Sequence, residues 1–170
     1  MDAASFLSAV IEIAIGVAGF AGIVAAVRQR QLDHWPTEQL LLLQVLFTAT
    51  AAAIVFALLP QFLAEYGLAE PLIWQVSSAA LICWAVGALS FRIYQGRKYG
   101  VAMPIPVHVR AWAVLTVVLQ IHNLLSEGQA WPFLLGIMTM LMNAFSVFLL
   151  LILSPVEADE AAADIVESDT

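Results

Sequence analysis

Five apolar stretches, separated by short polar segments, run the length of this chain: residues 5–27, 40–63, 72–94, 111–126 and 132–153. A helix needs about 20 apolar residues to cross the hydrocarbon core of a bilayer. The pattern therefore predicts an all-α, polytopic transmembrane bundle of five spans over residues 1–154, followed by a tail at 155–170. The first span contains one charge, Glu12, and the second is expected to stop near Pro60. The fourth is the shortest and holds Gln120, His122 and Asn123, while the fifth is the most apolar. No repeat of fixed period is present.

The few polar positions inside the spans are patterned. Thr116, Gln120, Asn123 and Glu127 follow i, i+4, i+7, i+11 and share one face of the fourth helix. In lipid that face must point inward. Weaker stripes recur at Gln44 and Thr48, at Gln75 and Ser78, and at Gly136, Thr139, Asn143 and Ser146. On the first helix Glu12, Gly16, Gly19, Ile23 and Ala26 fall on one side, with Ile13, Val17, Phe20 and Val24 mostly on the other. Small residues let helix backbones approach closely, so Gly16 and Gly19 are expected at a packing contact, within the protomer or across an oligomer. Glu12 lies roughly 10 Å from the start of its span at about 1.5 Å per residue. A carboxylate there costs about 2.5–3.5 kcal/mol and must find protein, a wet cavity or a proton. Glu12, Thr116, Gln120, Asn123, His122 and Asn143 are thus the candidate polar path or buried polar cluster.

Charge adds orientation. Arg28 and Arg30 follow the first span, and Arg92, Arg97, Lys98 and Arg110 lie between the third and fourth; the other gaps carry only Glu65, Glu70 and Glu127. Basic loops stay in the cytoplasm. The first span, longer than a signal-peptide core and preceded by no positive charge, is expected to remain as a helix with its N-terminus outside. Five spans then put the C-terminus inside. Trp35, Trp74, Trp112 and Trp131 fall at span ends, as interfacial aromatics should, and Trp84 alone is mid-span.

Composition excludes more than it assigns. The chain is 62% hydrophobic with a net charge of −7. Six of the thirteen acids lie in the last fourteen residues, and without them the remainder carries −1. Such a tail is expected to be disordered and solvated, with a basic protein as its candidate partner. Nucleic acid is not an expected partner, because the few basic residues serve as topology determinants. The lone cysteine, Cys83, is expected as a small core residue. No phosphate loop, metal-spaced histidine pair or nucleophile motif is present, so neither catalysis nor a cofactor is expected. His108 and His122 are fourteen apart, a spacing that resembles haem ligation in b-type cytochromes. His34 is the only other histidine, so two bis-histidine haems are ruled out. A single haem with His and Met ligation, through Met138, Met140 or Met142, is the remote redox alternative.

The stretch from Glu12 to Val24, the Arg-bearing loop with Trp35, and the second span ending Ala57-Leu58-Leu59-Pro60 together resemble a group of small uncharacterised bacterial multi-span membrane proteins. The resemblance covers the first third of the chain, and more loosely the third span. It implies a bacterial inner-membrane location and no particular activity. Two functions follow as expectations. One is an oligomeric channel or transporter-like protein for protons or cations, using Glu12 and the Thr116–Gln120–Asn123 face. The other is a non-catalytic structural or accessory subunit whose polar stripes hold helices together.

Overall fold

The computed structural model describes residues 2–31, 37–99 and 107–153. The basic and aromatic loop residues between 32 and 36, the tail at 155–170, and the side chains of Arg28, Arg30, His108 and Arg110 lie outside the described residues. All regular structure among the described residues is α-helical: α1 (Ala3–Gln31), α2 (Thr37–Glu65), α3 (Glu70–Tyr99), α4 (Val107–Leu125) and α5 (Ala130–Leu153). Four of these, all but α4, are long and apolar enough to cross a membrane. Helices α1, α2 and α3 extend past both ends of their apolar stretches, as helices that continue into the headgroup layer do. A 29-residue helix such as α1 reaches about 44 Å, against about 30 Å of hydrocarbon.

The helix ends have local causes. Asp2 caps α1: its Oδ1 accepts from the Ser5 amide at 2.7 Å. That backbone hydrogen bond holds the carboxyl below the usual carboxylate range. The cap is therefore complete at neutral pH and is lost as pH falls through the lowered value. Pro60 does not stop α2, which continues to Glu65. A proline this close to the C-terminus deprives one carbonyl, that of Phe56, of its helical partner, and neighbouring helices tolerate the loss. Gly67 ends the segment, with φ of 73° and its amide on the Ala64 carbonyl at 2.9 Å.

Helix α5 is the centre of the bundle and touches the other four; α2 packs against α1, α3 and α5. Among the described residues α1 and α4 do not meet. Towards the α2–α3 turn the core draws on α1, α2, α3 and α5, through residues such as Leu7, Ala53, Trp74 and Phe133. Towards the opposite end it contains only α1, α2 and α5, with Ala21, Leu46, Ala49 and Leu151. Alanine is frequent at these contacts: Ala14, Ala21, Ala53, Ala57 and Ala144 are fully covered. Small side chains are what allow close helix approach where lipid supplies no hydrophobic drive. The outside is correspondingly apolar, with Phe20, Val55, Val114 and Leu125 more than half exposed. A water-soluble fold does not expose large apolar side chains on all sides; a membrane-embedded one does.

Two expectations need correction. Cys83 is exposed on the apolar exterior rather than buried. Trp74 does not reach a headgroup layer: it is buried against Phe133, ring centroids 5.9 Å apart. On α1 the face buried within the protomer is Leu7, Val10, Ala14 and Ala21, a 3–4–7 seam that brings apolar side chains as well as close approach. The Gly16–Gly19 side points away from it.

Candidate functional site

Helix α4 is inside-out. Its apolar residues Trp112, Val114, Leu115, Val118, Ile121 and Leu124 are exposed, while Thr116, Gln120 and Asn123 are buried. The i, i+4, i+7 spacing puts all three on one stripe, and the helix turns that stripe towards α3 and α5. The stripe is closed by direct hydrogen bonds. Thr116 Oγ1 and Thr139 Oγ1 of α5 are 2.9 Å apart. Gln120 Nε2 donates to the Pro132 carbonyl in the first turn of α5. Asn123 Nδ2 donates to Ser78 Oγ of α3 at 2.9 Å and to the Gln129 carbonyl at 2.9 Å, while its Oδ1 accepts from the Gln129 amide at 2.7 Å. Asn123 thereby ties together α4, α3 and the start of α5.

The turn from α4 to α5 is clamped in the same way. Gln75 Nε2 of α3 donates to the Ser126 carbonyl at 2.7 Å. Gly128, with φ of 67°, lies so close to α3 that a Cβ there would sit 2.1 Å from the Pro71 carbonyl oxygen. At the seam itself a Cβ on Gly136 would meet Leu81 Cδ2 at 2.5 Å and Gln120 Nε2 at 2.8 Å. Two buried polar atoms have no partner among the described residues, Ser77 Oγ and Gln120 Oε1. Beyond the seam, an open cleft of about 700 Å³ lies between the start of α3 and the α4–α5 turn, with Glu70, Gln75 and Glu127 on its walls.

The remaining candidates stand apart from the seam. Glu12 is exposed on the outer face of α1, and among the described residues α1 does not touch α4, so the structure does not bring Glu12 to the α4 stripe within the protomer. Gly16 and Gly19 are exposed beside it, and a Cβ on either would meet nothing within 4 Å. His122 is exposed on the apolar flank of α4, next to Asn123 in sequence but not on the stripe. Asn143 is half-buried on α5, one turn beyond Thr139 and outside the hydrogen-bonded set. No group of three or more His, Cys, Asp or Glu side chains suited to a metal is found among the described residues.

Polar spacing marked Gln75 and Ser78 as a stripe on α3 without saying which helix they would face, and it gave no signal for Gln129 or the Pro132 carbonyl. A backbone carbonyl carries no sequence signal, and Gln129 lies in a turn where a polar residue is ordinary. Chemically the seam is a set of neutral amides and hydroxyls with no titratable member. It can lock helices together. No family model, no curated protein and no solved structure matches the chain.

Proposed function

We propose that the chain is a five-span inner-membrane protein that assembles as a homo-oligomer through the Glu12–Gly16–Gly19 face of α1. In this reading protons or small cations pass between protomers along that face, and the protein has no catalytic activity of its own. One observation carries it: Glu12 lies well inside an apolar helix and points out of the bundle. Left facing lipid, the carboxylate costs about 2.5–3.5 kcal/mol; a second copy of the same face takes it out of the lipid, with the facing Glu12 carboxyls sharing a proton or a cation. The glycines beside it leave room for that copy's backbone, since nothing of the protomer occupies the space.

The orientation in this reading is N-terminus outside and C-terminus in the cytoplasm, with α4 as the fourth span. Its 19 residues reach about 28 Å, close to the hydrocarbon thickness. The sorting of Arg and Lys supports the orientation, and the resemblance of the first third supports a bacterial location. The accessory-subunit reading has its own support. The seam is closed by direct contacts such as Thr116–Thr139 and Asn123–Ser78, which makes the protomer interior a packed joint.

Flux separates the two. Wild-type protein in liposomes is expected to pass H⁺, Na⁺ or K⁺, and Glu12→Gln to keep its oligomeric mass while losing or altering that flux. Absence of flux from wild type at every pH between about 5 and 8, a range that spans the ordinary His value, would favour the accessory subunit.

A further inference from the structure

The packing stripe of α3 changes character along its length. Trp74, Ser77, Ser78 and Leu81 are buried, whereas Trp84, Ala85, Ala88, Arg92 and Gln95 on the same stripe are only half-buried. Among the described residues, the core at that end of the bundle contains none from α3 or α4. Helix α3 is therefore only partly covered there, which leaves a half-open strip, a shallow groove, beside α2. Two contacts set the antiparallel register across the groove. Trp84 meets Phe56 edge-on at 6.3 Å, and Gln95 Nε2 donates to Gln44 Oε1 at 3.3 Å. Between these levels Arg92 faces the height of Phe47 and Thr48, both exposed.

Arg92 is a cation without a partner. Its guanidinium makes no hydrogen bond or ion pair among the described residues, although the side chain is half-buried. Its depth is informative. Arg92 is 22 residues from Glu70, about 33 Å along the helix axis, so it reaches the far edge of a hydrocarbon layer about 30 Å thick. The ligand that fits there must bring an anion at headgroup height and an apolar body that fills a cleft between helices. We propose that the groove between α2 and α3 binds one anionic phospholipid, whose phosphate is held by Arg92 while an acyl chain lies along Ala88 and Ala85. A planar guanidinium suits bidentate phosphate contact, and basic pockets between helices at a cytoplasmic headgroup layer are where anionic lipids dock. The inference needs the membrane-embedded fold but not the assembly through α1, so failure of the oligomer leaves it standing.

The test uses the full chain in detergent, with thermal unfolding followed on addition of phosphatidylglycerol, phosphatidylcholine or inorganic phosphate. Wild type is expected to gain Tm saturably with phosphatidylglycerol alone. Arg92→Gln should weaken that response about tenfold or more, as loss of a charged hydrogen bond implies. Arg92→Lys should fall between them, and Arg97→Gln, on the exposed side of α3, should respond like wild type. Equal stabilisation by phosphatidylcholine, replacement of the lipid by inorganic phosphate, or equal losses in Arg92→Gln and Arg97→Gln would each overturn the site. If Arg92→Gln does not fold, native mass spectrometry of wild type decides. One retained anionic phospholipid per protomer supports the groove, and none overturns it.

Discussion

The amide of Asn123 on α4 donates to the hydroxyl of Ser78 on α3 at 2.9 Å, and both side chains are completely covered. This bond joins the shortest helix of the bundle to its neighbour at the point where Asn123 also grips the backbone of Gln129. Removing the amide leaves the Ser78 hydroxyl and two backbone groups of Gln129 without partners. Asn123→Ala should therefore destabilise by about 1–3 kcal/mol. In a double-mutant cycle with Ser78→Ala, the coupling should be about 0.6 kcal/mol, the usual size for interhelical hydrogen bonds in membranes. Unfolding in mixed micelles measures both. A coupling of zero would mean the two side chains act independently and the seam is not a joint.

Gly128 combines a positive φ with a close approach. Its φ of 67° disfavours any side chain, and a Cβ would fall 2.1 Å from the Pro71 oxygen, a backbone atom that cannot swing aside. Gly128→Ala must lift the α4–α5 turn off α3 and break the Gln75–Ser126 bond, at a cost of about 2–4 kcal/mol when strain and overpacking are combined. Gly67 has a similar φ but open space around it, so Gly67→Ala should cost only about 1–2 kcal/mol. Equal melting temperatures for the two variants would contradict the docking of the turn.

The two faces of α1 should respond oppositely to bulk. Ala14 is fully buried in the protomer, and Ala14→Leu should cost about 1–3 kcal/mol of protomer stability by overpacking. Gly16→Leu and Gly19→Leu meet open space within the protomer and should leave its folding intact while dissociating the oligomer. Light scattering after size-exclusion chromatography reads the mass, and thermal unfolding reads the fold. If the glycine variants keep wild-type mass, α1 is not the assembly face.

The charge sorting also makes a prediction about sidedness. A fluorescent protein fused after Thr170 should be bright in bacteria, and a periplasmic phosphatase fused there should be inactive. The reverse result would mean that α4 does not cross the bilayer, since one fewer span moves the C-terminus to the other side.

Hydrophobic length and polar periodicity were enough to locate all five helices to within a few residues, and to orient α4. A segment of about 20 apolar residues has no better solution than a helix in lipid, and Thr116, Gln120 and Asn123 at i, i+4, i+7 can only be sheltered together. Both inferences depend on local spacing, which a single chain displays directly. Partner choice is different in kind. On α1 the spacing favoured the stripe of glycines with Glu12, whereas the stripe buried within the protomer is Leu7, Val10, Ala14 and Ala21. Tertiary structure decided it: α2 and α5 present Ala53, Ala57 and Ala144, against which apolar side chains pack more fully than bare glycine backbone does. The same arrangement separated Glu12 from the α4 stripe, because α5 touches both α1 and α4 while these two do not meet, and it left Arg92 half-buried beside α2. Which helices become neighbours is a property of how all five fill space together, and that is where the sequence pattern stops.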